Sequence, residues 1–379
     1  MMWMLTLVLV QAWSPGAPMP TPGFAFACAA VDGRVYAIGG LTSGPDSAEP
    51  RAAVEAYDVA GDSWITGYAP LPVPRWYAGG VELNGRIYVL GGTDGPNDYR
   101  RVDRFDPAAN RWDTVASLPW QRQAMAACSF QNCIYVIGGF SGGGQGNYHR
   151  SVARYIPGQD RWETVDSLNS PRASAAAAVV GDRLYVVGGT YFGPLSSVEF
   201  FTGDGWVTEP RTLLRARFGL GALACHGSLY AVAGTGRGGQ LNSVEKLDSA
   251  AGQWVEADSL THGRAYLGVG VVGDTATAIG GRGPRNAMAD VDRCVLPRSG
   301  LASSAPSGLI PVRLPSTICA GRVRFDIGNH ERLDVLDAAG KVVCSQTSTL
   351  DAVLPAGVYH VRLFQHGVPV PACRVTVIR

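Results

Sequence analysis

Five arginines occupy one recurring position along this chain: Arg75, Arg122, Arg172, Arg217 and Arg264. A guanidinium is a planar fork of donors that grips a carboxylate with two hydrogen bonds. Beside these arginines stand Trp76, Tyr77, Gln123, Phe218 and Tyr266, and a second set of segments carries Asn97, Asp98, Tyr99, Tyr148, His149, Tyr191, Arg282 and Arg285. Gathered at one channel mouth, this set would suit an acidic sugar or a peptide, with aromatic faces beside guanidinium forks. A second series offers the arginines another use. Glu55, Asp103, Glu199, Glu245 and Asp292 each follow a valine, and only Ala153 breaks the series. Arginine–carboxylate pairs repeated in every unit would be a structural duty, because ligand contacts need not repeat. The residues that do not repeat are the better ligand candidates.

Other chemistries are less well supplied. His262, His149 and Asp98 are the candidate general bases if the mouth is catalytic, and no spacing singles one out. A copper site of paired histidines and tyrosines would have to draw on His149, His226 and His262, and His226 falls in a turn expected on the opposite face. None of the eight cysteines forms a CxxC pair, so a zinc site is not expected, and no motif points to another metal or to a cofactor. Cys128 and Cys133 flank a tight turn, where a bridge and two separate thiols are both compatible with the spacing. The glycine-rich FSGGGQGN lies inside a repeat and opens no helix, so it reads as a loop and not a phosphate cradle.

The elements that must position these side chains come from internal repetition. RVYAIGG (34–40), RIYVLGG (86–92), CIYVIGG (133–139), RLYVVGG (183–189), SLYAVAG (228–234) and TATAIGG (275–281) are versions of one segment. The first residues of their terminal pairs are spaced by 52, 47, 50, 45 and 47 residues. Sixteen residues before each pair stands an arginine of the series, with Gly23 in the first repeat. Downstream come Trp64, Trp112, Trp162, Trp206 and Trp254, preceded by Tyr57, Phe105, Tyr155, Phe200 and Leu247. The fixed offset predicts two strands joined by a tight turn, and Asn84-Gly85 between apolar runs is a hairpin signal. The variable stretch after the glycines predicts a loop that differs between repeats, and each repeat reads as four strands.

The Gly pair, the tyrosines at 36, 88, 135, 185 and 230, and the aromatic-to-Trp spacing resemble the kelch repeat over residues 13–298. The resemblance implies an all-β, six-bladed kelch-type β-propeller, commonly a module that binds other proteins. Some kelch-like propellers are epimerases of sialic acids, which gives the alternative of an acidic-sugar epimerase or mutarotase at an arginine-lined mouth. Nothing in the chain requires catalysis. Repeat six lacks its Trp after Gly280, while Trp13 precedes Gly23 by the ten residues that separate Trp112 from Arg122. The amino-terminal segment is therefore expected to supply the last blade's fourth strand and close the ring.

The two ends carry different signals. Trp3–Val10 is an apolar run too short to span a bilayer, and residues 1–12 read as a signal peptide cut before Trp13. Residues 299–310 form a small-residue linker, and 311–379 alternate as a small β-sandwich. LDVLDAAGKVV (333–343) and LPAGVYHVRL (354–363) resemble the sorting domain of proteins exported by type IX secretion, although the usual opening Asn-Pro is absent. That resemblance implies export through the periplasm of a Gram-negative-type bacterium to the cell surface or medium, with the secretion machinery as a partner. The formal net charge of +1 gives no general attraction to nucleic acid or acidic membranes. The expectation is a secreted monomer with a protein or glycan ligand and no membrane span once the leader is removed.

Overall fold

The computed structural model describes residues 13–43, 48–142, 146–248 and 252–296, together with strands between 322 and 377. The chain divides into two compact units, one of which is Trp13–Ser299. This unit is a six-bladed β-propeller of four-stranded antiparallel sheets. Blade 2 shows the plan: Gly79–Leu83 innermost, then Arg86–Leu90, Val102–Asp106 and Arg111–Val115 outermost. Asn84 and Gly85 both take positive φ, 54° and 73°, as an Asn-Gly hairpin turn requires. Blade 3 repeats the plan with Ala126–Phe130, Cys133–Ile137, Val152–Ile156 and Arg161–Val165.

Blade 6 is completed from the other end of the unit. Ser14–Pro15 pairs with Val291–Val295, placing Ser14 opposite Arg293 and Pro15 opposite Asp292. Trp13 and Met19 are buried, at 7% and 3% exposure. Asp62 of blade 1 ties this segment down, accepting the Ala17 amide at 2.7 Å and the Tyr57 hydroxyl.

The apolar core lies in layers between blades. One layer joins Val81, Leu83, Tyr88 and Leu90 of blade 2 to Ile134, Val136 and Tyr155 of blade 3. In blades 1 to 3 the repeated Trp bridges neighbours: the indole N–H groups of Trp64, Trp112 and Trp162 donate to the carbonyls of Ala17, Ala69 and Ala116 at 2.8–2.9 Å. In blade 4 the aromatic opposite Trp is Phe201 and not the expected Phe200, because Phe201 is the residue in register with Trp206. Phe200 faces Arg183 instead, whose guanidinium carbon lies 4.6 Å from its ring. Cys128 and Cys133 are separate thiols, and burial pushes the Cys128 thiol up to about 12.

In the second unit, Arg332–Leu336 lies between Val342–Gln346 and Gly357–Gln365, and the latter pairs with Val368–Val377, all antiparallel. Arg322–Phe325 pairs with Leu350–Val353. The signal peptide and the linker read from the sequence lie outside the described residues.

Candidate functional site

In each blade the loop leading to the inner strand meets the loop after the Gly pair. Trp76 bridges Thr93, Gln123 bridges Phe140, Ala173 bridges Thr190, Phe218 bridges Thr235 and Ala265 bridges Arg282. The two loop sets therefore share one face of the propeller.

The five arginines do not line that face. Arg75, Arg217 and Arg264 are 0% exposed, Arg172 1% and Arg122 3%. They were candidates for a channel-mouth ring, and the structure turns them into the blades instead. Arg75 Nε donates to the Gly91 carbonyl at 2.8 Å, Arg122 Nη1 to Gly138 at 2.7 Å, Arg172 Nη1 to Gly188 at 3.0 Å and Arg217 Nη1 to Ala233 at 3.0 Å. In these four blades the offset of sixteen in the sequence is thus a hydrogen bond from the guanidinium to a carbonyl at the end of its own second strand, while Arg264 Nη2 donates to the Ala278 carbonyl, fourteen residues on, at 3.2 Å. The third-strand carboxylates balance the charge. Arg75 pairs with Asp103 at 2.9 Å, Arg172 with Glu199 at 2.5 Å, Arg264 with Asp292 at 2.8 Å, and Arg217 with Glu245.

Blade 1 reaches the same result by another route. Gly23 stands at the arginine position, and Arg51 from the third-strand side pairs with Glu55 at 2.8 Å. A Cβ at Gly23 would lie 2.5 Å from Arg51 Nη1, so the missing side chain is what admits the substitute guanidinium. Blade 3 alone has no such carboxylate, since Ala153 takes its place.

Two closed circuits of backbone hydrogen bonds surround the axis. In the inner one, Tyr77 N donates to Ala25 O, Ala124 to Tyr77, Ser174 to Ala124, Gly219 to Ser174, Tyr266 to Gly219 and Ala25 to Tyr266, all within 2.6–2.8 Å. All six donors take positive φ, from 49° at Ser174 to 60° at Gly219. In the outer one, the second residue of each Gly pair donates to the leading-loop carbonyl of the next blade, as Gly92 to Arg122 at 2.8 Å and Gly281 to Gly23 at 2.8 Å. This approach keeps the first residue of each pair small: a Cβ at Gly188 would lie 2.6 Å from the Arg217 carbonyl, and blade 5 carries Ala233 at the same position with a φ of 56°.

Tyr77 and Tyr266 cover the axis, their ring centroids 5.1 Å apart. Burial is the main cause that raises both phenols above their ordinary range. The cavity they line with Ser174, Leu220 and Met125 measures about 100 Å³. Phe218 packs on Tyr266 at 6.2 Å. Trp76 lies against Gly95, where an added Cβ would come 3.3 Å from the indole.

The remaining candidates divide into polar ties and an aromatic cluster. Gln123 Nε2 donates to Asp98 Oδ1 at 2.6 Å, and Asp98 Oδ2 accepts the Gly142 amide at 2.8 Å, so both are spent joining loops of blades 2 and 3. Tyr99 donates to Asp94 at 2.6 Å. His149 Nε2 lies 2.7 Å from Ser141 Oγ, and its pKa is lowered by burial and then by the Arg122 charge. Arg282 projects over the Phe24 ring at 5.8 Å, and Arg285 is exposed. Tyr148 is the hub of the cluster, with Phe140 at 5.2 Å, Tyr191 at 5.6 Å and Phe192 at 5.4 Å. Tyr191 is 44% and Phe192 85% exposed. Phe192 was not among the sequence candidates. Its signal was present in Tyr191-Phe192-Gly193-Pro194, a paired aromatic at a turn, where a chain avoids leaving apolar rings in water without a use.

A profile of the Kelch motif matches residues 216–261, and one of the KLHDC2/KLHL20/DRC7 Kelch-repeats domain matches residues 10–189. The propeller belongs to the kelch-repeat family. Kelch-like protein 35 of Mus musculus is 31% identical over 139 residues, 36% of this chain and 23% of that protein. Kelch-like protein 6 of Homo sapiens is 34% identical over 114 residues, 30% of this chain and 17% of that protein. Beta-scruin of Limulus polyphemus is 28% identical over 142 residues, 35% of this chain and 15% of that protein. The kelch match thus spans less than a quarter of each of these relatives. Among the described residues no helix is long and apolar enough to cross a membrane.

Proposed function

We propose that this kelch propeller is a protein-docking module whose contact surface is the loop face of blades 3 and 4, centred on Tyr148, Tyr191 and Phe192. The observation that carries this reading is the exposed aromatic cluster, with Phe192 85% and Tyr191 44% exposed. Tyrosine is enriched among residues that dominate binding energy, and interlocked rings lose little conformational freedom when a partner covers them. The partner of this reading is a protein, and a glycan that stacks on the same rings is the second ligand class. The acidic-sugar alternative is not favoured: the arginines meant to hold the sugar are buried, and a cavity of about 100 Å³ is below the roughly 300–1,000 Å³ of small-molecule sites.

A photo-crosslinking residue at Phe192 should capture one discrete partner, whereas the same residue at Asn84, in a turn between inner strands, should not. Tyr148→Ala should weaken capture at 192 by removing the ring that braces the cluster. Equal capture at both positions refutes the docking surface.

Export belongs to the same proposal. Residues 1–12 act as a leader, and 311–379 form a sandwich that directs the chain through type IX secretion to the surface or medium. The sequence resemblances described above support this. A secreted product whose mass begins at Trp13, and retention in the cell when 311–379 is removed, are the expected results.

A further inference from the structure

Each blade of the propeller buries one guanidinium, and five of the six face a carboxylate of the third strand. Blade 3 keeps the donors and has lost only the acceptor. Ala153 lies opposite Val136 as Asp103 lies opposite Val89 and Glu199 opposite Val186, so the register is unchanged. Across the outer pair, Thr164 faces Ala153 as Thr114 faces Asp103. Thr114 Oγ1 donates to Asp103 Oδ1 at 3.1 Å, and Thr164 offers the same hydroxyl in blade 3. Two residues before the arginine, the Ser170 and Arg215 amides donate to Glu199 and Glu245 at 3.3 and 3.1 Å. Trp120 stands at the equivalent position, two residues before Arg122.

Arg122 has only neutral companions. They are the Gly138 carbonyl at 2.7 Å, Ser151 Oγ at 3.2 Å from both terminal nitrogens, the Gln121 carbonyl at 3.4 Å and the Trp120 ring at 5.2 Å. No carboxylate of a described residue forms an ion pair with it, although it is 3% exposed. Burial alone draws its pKa down to about 10, with no counter-charge to raise it. A buried charge without a partner is costly, and carrying it unpaired is an unstable arrangement to preserve. Aspartate exceeds alanine by one carboxylate on the same Cβ. The acceptor that blade 3 lacks is therefore the size of formate or chloride.

We propose that Arg122, with the Thr164 hydroxyl and the Trp120 amide, binds a small monovalent anion beside Ala153, chloride being the physiological one. The anion takes the place that a side-chain carboxylate fills in the other blades, and the Trp120 ring shields it.

Two measurements on the full chain test this. The first is melting temperature in sodium chloride against sodium gluconate at equal ionic strength. Saturating chloride should raise it by about 5 °C, the effect expected at roughly a hundredfold over the dissociation constant. The second is the anomalous signal from crystals grown in sodium bromide, where a peak should lie within hydrogen-bond reach of Arg122. Ala153→Asp should melt higher in gluconate and lose the halide response. Identical melting in the two salts overturns the proposal, even with a bromide peak, because the site would then fill only at crystal concentrations. A halide response that survives in Ala153→Asp places the effect elsewhere and also overturns it. If that variant does not fold, absence of bromide at Arg122 in the unaltered protein is decisive.

Discussion

Changing Glu199 to Gln removes one charge and almost no volume. Its carboxylate is 1% exposed and accepts from Arg172 Nη2 at 2.5 Å, the Asn169 amide at 2.7 Å and the Ser170 amide at 3.3 Å. Glutamine keeps one accepting oxygen and turns an NH₂ group toward donors. Arg172, also 1% exposed, keeps its bonds to the Gly188 and Ser197 carbonyls at 3.0 and 3.1 Å but loses its counter-charge. Breaking a buried pair from one side costs about 3–5 kcal/mol. At roughly 2–4 °C per kcal/mol for a domain near this size, melting should fall by about 6–20 °C. The matched control is Asp113→Asn, which breaks a pair of equally good geometry, Arg104 to Asp113 at 2.6 and 2.9 Å, with side chains 35% and 53% exposed. Water and salt screen that pair, and its loss should cost about 0.2–1 kcal/mol. Urea unfolding followed by tryptophan fluorescence gives both values on one scale. A Glu199→Gln penalty no larger than that of Asp113→Asn would show that the buried pairs do not hold the blades together.

Three further outcomes are expected. Gly181 and Gly188 share a φ of 60°, but a Cβ meets nothing within 4 Å at Gly181 and comes 2.6 Å from the Arg217 carbonyl at Gly188. Gly181→Ala should therefore cost about 1 kcal/mol and Gly188→Ala about 2–4 kcal/mol, and equal values by denaturant titration count against close blade approach as the reason for the Gly pair. Deleting residues 13–22 removes buried Trp13 and Met19 with the closing strand, so melting should fall by more than about 10 °C; melting like that of the full chain refutes ring closure by this segment. Asp62 is held below its ordinary 3.8 first by the Ala17 amide and next by the Tyr57 hydroxyl. Its folded pKa lies under the unfolded one, so its contribution is complete above about pH 3.8 and is lost as pH falls through the folded value; stability curves of the native chain and Asp62→Asn should converge on acidification, and a constant offset down to pH 2 contradicts the assignment.

The six-fold repeat was legible because its markers do the same work in every blade. The Gly pair must be small where the next blade's carbonyl arrives, and the sixteen-residue offset is fixed by a guanidinium reaching one carbonyl. The role of the arginines was open in the sequence, since a type repeated in every loop fits a ring of binding groups as well as a set of internal caps. Only burial decides between them. Gly23 read as a gap in the series, although Arg51 fills its place from a loop of different origin, and no linear spacing announces that. The inner circuit of hydrogen bonds was invisible for a related reason. Its residues take positive φ, the usual sign of glycine, yet five of the six are Ala25, Tyr77, Ala124, Ser174 and Tyr266. Tertiary closure pays the local strain there, so composition carries no trace of it. Phe192 gave no separate signal because the sequence does not fix which of two adjacent rings, Tyr191 or Phe192, the turn leaves the more exposed.

The closing strand also decides how the propeller carries tension. Ser14 lies opposite Arg293 and Pro15 opposite Asp292 in antiparallel register, so the chain enters blade 6 and leaves it at the same end of the paired strands. A pull between those two points opens the pair like a zipper, one bond at a time, and does not shear all its bonds together. Every other blade is continuous through its own hairpins and lies outside the line of force until this seam has parted. A domain loaded through both ends should therefore yield first at blade 6 and at low force. One tethered through a single end would feel no tension across the ring, and its loop face could be pulled by a bound partner without opening the seam.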